Sequence, residues 1–391
     1  MKISLLNKND KEKAKSLWGY AFETDEPFYS WYFDNVYDEN NCVGIYDDEL
    51  VSYLQLNPYN LKLNNNIFPC SYVVGVISAP EYRNKGAMKK LLPKALEEMN
   101  NKGHAISILM PFDTKFYSTY GWELSYSQLK YHVPIDVIKG LKNKSGDFKK
   151  VKIGSSTDSL NEIYESYLCK YNGYVKRDNI EWEYIMREID SYGGYMYLLT
   201  IDNKPCGYIF YYIENKTLNI REMAYTNLEG MGALFNFIYS HTSQVKYVDW
   251  PAPIGDNLYL FIKDTIKPEF TNDIRVHPFM CTRVINVKNA IENCIFENDA
   301  EFIFTVDDTY APWNNHTYKV IVNDTKAKVI MIDPIHSQFS CNINTFSQLF
   351  FGSIDIYEAI FLNKVNVTDE SGIHEFNKVF YKKNNFINEY F

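Results

Sequence analysis

No stretch of this 391-residue chain approaches the ~18 consecutive apolar residues that a membrane-spanning helix needs. None of its seven cysteines (Cys42, Cys70, Cys169, Cys206, Cys281, Cys294 and Cys341) forms a CxxC pair, so neither a structural zinc nor a redox dithiol is expected. The seven histidines, His104 and His132 among them, show no HxxxH spacing, and no metal site is read from them. Positive charge is also in deficit. Forty Lys and Arg stand against forty-nine Asp and Glu, a formal charge of −9, which speaks against a broad phosphate-binding surface and against nucleic acid as a partner. The opening residues, MKISLLNKNDKEKAKSLWGYAF, hold no apolar core of the kind that marks an export leader. With widely spaced thiols that read as buried and reduced, the expectation is a soluble, cytoplasmic protein that does not engage a membrane.

The length is about two and a half times the ~150 residues of an average domain, so two or three packed units are expected. Residues 140–159, GLKNKSGDFKKVKIGSSTDS, lose apolar periodicity and become rich in Gly, Ser and Lys, which marks one boundary. A weaker break is read at 267–284, where prolines interrupt a segment without a sustained period. The expected units are therefore 1–139, 150–275 and 284–391.

In the first unit, Ser71 to Ser78 is a short β-branched apolar run and reads as a buried strand. From Met88 the apolar residues Leu91, Leu92, Ala95, Leu96 and Met99 recur on one helical face up to Gly103, with Pro93 expected to kink the helix. His104 to Met110 is again strand-like, which completes a βαβ unit. In the last unit Phe302, Phe304 and Val306, then Tyr318, Val320 and Val322, then Ala327, Val329 and Met331 alternate at period two, and a helix over 344–360 could cover the resulting sheet. The fold class is α/β in front and α+β behind.

Between strand and helix lies Pro80-Glu-Tyr-Arg-Asn-Lys-Gly86. Arg83, Lys85 and Gly86 supply a cation and an open turn at a helix N-terminus, the parts from which a phosphate cradle is built. An R-x-x-G turn after a V-x-x-x-P strand end resembles the acetyl-CoA pyrophosphate loop of the GNAT N-acetyltransferases, although the small residue that ends the family pattern R/Q-x-x-G-x-G/A is Met88 here. The same residues, read alone, also serve as an ordinary helix cap. Downstream, Phe116-Tyr-Ser-Thr-Tyr-Gly-Trp122 resembles the F-Y-x-x-x-G-F segment of that family, in which the tyrosine matching Tyr117 protonates the departing thiolate. A phenol of pKa ~10 can donate to a thiolate whose conjugate acid lies near ~8.5. Read alone, Tyr117 is also simply one packed tyrosine among 33.

Three units with this first one, closing on Asn388-Glu389-Tyr390-Phe391, resemble over the full length the Eis (enhanced intracellular survival) acetyltransferases. The resemblance implies tandem GNAT folds followed by a sterol-carrier-protein-like (SCP2) α+β domain, acetyl-CoA as co-substrate, no metal, and a homo-hexamer. It implies direct attack by an acceptor amine in a ternary complex, with Tyr117 as acid and the α-carboxylate of Phe391 as base. For the coenzyme it implies backbone contacts at Val76, Ile77 and Ser78. The amides of Asn84, Lys85, Gly86, Ala87, Met88 and Lys89 would hold the pyrophosphate, with further contacts at Phe112 and Asp113. The acceptor is expected to be a small-molecule amine, polycationic like an aminoglycoside, or a lysine side chain, since a polycation suits the net charge. Phe22, Glu23, Asp25, Glu26 and Glu389 are its candidate contacts. The middle unit repeats strand, Gly turn and helix at Thr217–Ser243, but Asn227 and Glu229 stand where the cation should be, so it is expected to keep the fold and to have lost acetyl-CoA. A reading from another class remains beside this one: a lipid- or hydrophobic-ligand-binding protein that works through the last unit, with a relict GNAT domain.

Overall fold

The computed structural model describes residues 2–22, 24–142, 146–262 and 273–390. Among them one thirteen-stranded sheet runs through the first two units. Its strands are β1 (Lys2–Leu5), β2 (Cys42–Asp47), β3 (Glu49–Leu63), β4 (Asn66–Ser78), β5 (Ile106–Leu109), β6 (Glu123–Pro134), β7 (Asp147–Lys150), β8 (Tyr174–Val175), β9 (Tyr195–Ile201), β10 (Lys204–Glu214), β11 (Thr217–Tyr225), β12 (Tyr247–Pro253) and β13 (Asp273–Val284). Their spatial order is β1-β2-β3-β4-β5-β13-β6-β12-β11-β10-β9-β7, with β8 on the side of β3. The two units are joined because β6 pairs antiparallel with β12 of the second over its whole length, from Pro134 opposite Tyr247 to Gln128 opposite Pro253.

The first unit adds helices α1 (Lys11–Ala21), α2 (Phe28–Asn35), α3 (Ala87–Asn101) and α4 (Thr114–Ser118), and the second adds α5 (Asp158–Leu168), α6 (Asn179–Ser191) and α7 (Leu228–Tyr239). The βαβ expectation agrees with the parallel pairing of β4 and β5 around α3. Leu91, Leu92, Ala95, Leu96 and Met99 are fully buried along one stripe of α3, and the helix continues through Pro93. Each such side chain gains roughly 1–3 kcal/mol from leaving water, set against the entropy of ordering it. In the second unit β11 and β12 are likewise parallel around α7.

The segment 267–284, expected to be a break, is in part a strand. Residues 263–272 lie outside the described residues, but β13 threads between β5 and β6 and pairs with both. Two features hid it. Pro278 sits at a register shift in the ladder, where its missing donor costs little, and Phe279 to Val284 are buried on both faces and so do not alternate.

The last unit holds α8 (Val287–Glu292), β14 (Ala300–Asp307), β15 (His316–Asn323), β16 (Lys326–Ile332), β17 (Phe339–Asn342), α9 (Ile343–Phe351), α10 (Ile356–Phe361), β18 (Val365–Val367) and α11 (Glu370–Val379). Its sheet order is β16-β15-β14-β17-β18. The helix expected over 344–360 is two helices. Gly352 takes a left-handed conformation, φ +70°, and its N–H closes on Gln348 and Leu349, while Asp355 caps the start of α10. Met331, expected to face inward, is half-exposed on the edge strand β16. Packed aromatic rings fill the interior: Phe304 lies 5.6 Å from Phe339 and 5.2 Å from Phe346, and Phe376 lies 4.9 Å from Phe380. No helix among the described residues is long and apolar enough to cross a membrane.

Candidate active site

A bulge in β4 shapes the site. Gln55 lies opposite Val74 and Tyr53 opposite Ile77, so Gly75 and Val76 together face Leu54. Gly75 has φ +59°, and a Cβ there would sit 2.5 Å from Trp18 Cζ3. The pairing of β4 with β5 stops at Tyr72 opposite Ile108, so among the described residues the β5-facing edge of Val76, Ile77 and Ser78 has no ladder partner. An extended ligand arm can add to such an edge as a strand does. Gly75→Ala is expected to lower stability by about 1–3 kcal/mol, because the left-handed backbone and the Trp18 contact both oppose a methyl group. An unchanged urea midpoint would contradict this account of the bulge.

The turn after β4 leads into α3. Asn84 and Gly86 have positive φ, 60° and 78°, and α3 starts at Gly86 with no side chain capping it. Its first N–H groups are therefore available to an anion, with the helix dipole in support. Arg83, Asn84, Lys85 and Lys89 are exposed around this end, Ala87 is buried, and Met88 is half-buried. The Arg83 guanidinium stands 5.4 Å from the Tyr20 ring, and Lys85 Nζ 5.0 Å from Tyr82. At the equivalent place in the second unit Asn227 caps α7, accepting from Gly230 N–H at 2.8 Å, with Glu229 in the first turn. That helix end is closed by its own chain.

Tyr117 belongs to the buried cluster formed by Val73, Ala87 and Leu91, with Val76 and Met88 against it. Asp113 fixes it there, since its carboxylate caps α4 through the N–H groups of Lys115 and Phe116 at 2.9 and 3.3 Å. Asp113 thus acts on the helix that carries Tyr117. Phe112 is 76% exposed and its ring centre is 5.4 Å from that of Tyr117. Burial, and after it the neighbouring Cys281, pushes the Tyr117 phenol well above its usual value. The Cys281 thiol is itself pushed up to about 12 by burial. At neutral pH both stay protonated, which suits the phenol as a proton donor and leaves the thiol a poor nucleophile.

After α11 the chain returns to the sheet of the first two units. Asn172 and Phe386 bond to each other's neighbourhood through the backbone, and the Tyr72 hydroxyl, at the last paired residue of β4, donates to the Glu389 carbonyl at 3.5 Å. Arg177 donates to both carboxylate oxygens of Glu222 at 2.7 Å and to Glu389 at 2.8 and 2.9 Å, all three side chains being buried. Arg221 donates to the Asn388 carbonyl at 2.8 Å, and Tyr390 donates to Gln128 at 3.0 Å while its hydroxyl also meets Lys130. Phe391 lies outside the described residues. Sequence reasoning passed over Arg177, Arg221, Glu222 and Gln128, whose partners are remote in the chain. The available signal was the charged pair Arg221-Glu222 inside the otherwise strand-like run TLNIREMAY.

Beside the bulge, a cavity of about 530 Å³ opens between α1, α2 and α6. Trp18 belongs to its wall as well as to the bulge, and Phe22 and Asp25 line it. Glu26 instead accepts from the Ser30 hydroxyl at 2.7 Å, and Glu23 lies outside the described residues. Glu389 is committed to Arg177 and is not part of this lining among the described residues. A second cavity of about 430 Å³ shares Glu188 and Tyr192 with the first and reaches Tyr390.

Residues 2–125 and 173–284 each match an acetyltransferase (GNAT) domain family, and residues 287–388 match a sterol carrier protein domain family. No curated protein matches the chain. Among solved structures it is similar to a conserved protein of unknown function from Enterococcus faecalis V583, described as a probable N-acyltransferase, at 21% identity and TM-score 0.89, covering 100% of this chain and 99% of that one. It is similar to a GCN5-related N-acetyltransferase from Anabaena variabilis at 21% identity and TM-score 0.87, and to Eis1 from Mycobacterium abscessus at 16% and 0.79, each covering 100% of both chains. At these identities the likeness is one of fold. By domain content the chain is an acetyltransferase with two GNAT domains in tandem and a sterol carrier protein domain behind them.

Proposed function

We propose that the first unit transfers the acetyl group of acetyl-CoA to a primary amine by direct attack in a ternary complex. The observation that carries this is the uncapped N-terminus of α3 next to the unpaired edge of β4. Pyrophosphate would sit on the amides from Asn84 to Lys89 beside Arg83, and the pantetheine arm would pair with Val76, Ile77 and Ser78, one of whose N–H groups faces the thioester oxygen. Phe112 is exposed enough to lie along the arm. Nitrogen attacks the thioester carbon, the C–S bond breaks, and the sulfur takes the phenolic proton of Tyr117 as the amine proton passes to a base.

For that base we propose the α-carboxylate of Phe391. Support comes from the path of the tail, since the Glu389 carbonyl is met by Tyr72, the last residue of β4 paired with β5, and the Tyr390 hydroxyl by Gln128 of β6. Amidating Phe391, or adding one residue beyond it, is expected to cut kcat at least ~100-fold while the acetyl-CoA Kd stays within about twofold. Equal turnover of extended and unextended protein rules that role out. The second unit, with α7 capped by Asn227, is expected to bind no acetyl-CoA. Calorimetry should therefore give one coenzyme site per chain, lost in Arg83→Ala/Gly86→Val. Two sites, or one that survives that double substitution, would reject the assignment. The packed aromatic interior of the last unit favours the enzyme reading over a lipid carrier.

A further inference from the structure

We infer that the acceptor is an amine carried on an aromatic or apolar body with one charge, or two at most, and not a polycation. This rests on the acceptor reading of the cavity beside the β4 bulge and narrows it. Seven of the eleven residues lining that cavity are aromatic, Trp18, Phe22, Phe28, Tyr32, Tyr184 and Tyr192 among them. Its volume of about 530 Å³ would hold a small ring system with a short arm. The rings pack on one another, with Tyr184 5.1 Å from Phe28 edge-to-face and Trp18 4.9 Å from Phe22, which fixes their faces before a ligand arrives.

The charge of the wall sets the count of ammonium groups. Among the described residues two carboxylates line the cavity, Asp25 and Glu188. Glu188 is already taken, as both of its oxygens accept from Arg221 Nε at 3.0 and 3.1 Å in a pair largely withdrawn from solvent. Asp25 is exposed and no side-chain hydrogen bond occupies it among the described residues. Three of the hydroxyls in the wall are committed as well: Tyr32 donates to Gln55 at 2.8 Å and accepts from Asn57, Tyr29 donates to the Lys15 carbonyl at 2.6 Å, and Ser191 donates to the Glu188 carbonyl at 2.7 Å. One ammonium can therefore meet a free carboxylate, and the aromatic faces can hold it. A further ammonium would give up water without a second free carboxylate to meet among the described residues, and the row of hydroxyls of a sugar would find few free partners on this wall. The net charge of −9 acts through the whole surface, over which exposed charges are screened, and does not make this wall a polycation site.

The wall contributed by Tyr184, Glu188, Ser191 and Tyr192 comes from α6 and the residue after it, so the second unit, whose α7 is capped by Asn227, supplies the selectivity. Release of free thiol from acetyl-CoA should be followed with full-length protein and four acceptors: 2-phenylethylamine, tryptamine, spermine and kanamycin. The kcat/KM for the two aryl amines is expected to exceed that for spermine and kanamycin at least tenfold, with a KM that barely moves between 20 and 300 mM salt. Tyr184→Ala should raise KM for the aryl amines more than tenfold and for spermine and kanamycin less than threefold, and Asp25→Asn should raise KM for all four. Equal or better turnover of spermine or kanamycin overturns the inference and leaves the transferase reading intact. Thiol release from none of the four with acetyl-CoA still bound overturns it also, by removing the cavity as the acceptor site. Absence of acetyl-CoA binding defeats the underlying reading itself.

Discussion

Tyr117→Phe is expected to lower kcat about 10²–10³-fold while the acetyl-CoA Kd changes less than about twofold. The ring and its packing against Phe116, at 5.0 Å, survive this substitution, so only the proton is removed. Because burial raises the phenol above its usual value, the donor stays protonated throughout the neutral and mildly alkaline range. The wild-type rate should therefore show no loss from this group as pH rises toward 10, and any fall below that pH must come from another group. A Phe variant that retained a third or more of wild-type turnover would remove Tyr117 from the reaction.

The second large effect is expected at Arg177, which acts on the fold. Arg177→Met leaves Glu222 and Glu389 facing each other, both buried and with no guanidinium between them, at a cost of about 3–5 kcal/mol. Burial alone would raise the Glu222 carboxyl, but Arg177 outweighs it and holds the group down at about 2. A depressed carboxyl contributes stability that is fully present above its unfolded value of ~4.3 and disappears as pH falls from there through about 2. Glu389 behaves in the opposite way, raised by burial with Arg177 only partly compensating. The difference between wild type and Arg177→Met should therefore be largest near pH 7 and shrink as pH falls toward 4, because the variant's unpaired buried carboxyls take up protons while Glu222 of the wild type is still ionised. Urea midpoints at pH 7 and pH 4 measure it. A difference that grows with acidity would show that the network does not work this way. Exchanging Arg177, Glu222 and Glu389 together for Met and Leu should recover most of the loss, since an apolar cluster of similar volume leaves no stranded charge. The triple variant also separates folding from catalysis: with stability restored, a persisting loss of kcat would assign the network to holding the tail in place.

What could be read directly from residues was local. The β-branched run at Ser71–Ser78, the apolar stripe of Leu91, Leu92, Ala95, Leu96 and Met99, and the alternation at Phe302–Val306 each repeat within a few residues, and each became the element that its period implies. The R-x-x-G turn and the Tyr117 segment were legible for a similar reason, because a helix end and a capped tyrosine are built from neighbours in the chain. Pro278 misled at β13, where a ladder irregularity absorbs the proline, and the helix over 344–360 was read through Gly352 because the apolar pattern continues across the break.

Sequence by itself determined the strand, turn and helix around Gly86, the want of a cation at Asn227 and Glu229 before α7, and the aromatic supply from which a cavity could be made. Tertiary structure decided where those pieces meet. The bulge at Gly75 lies against Trp18 of α1, which leaves no room for a Cβ there. Arg177 finds Glu389 across 212 positions of chain, and α6 of one unit walls a cavity belonging to the other. Periodicity reports which face of an element is apolar, whereas the pairing of buried charges and the closure of a pocket depend on distances between elements that no local pattern encodes.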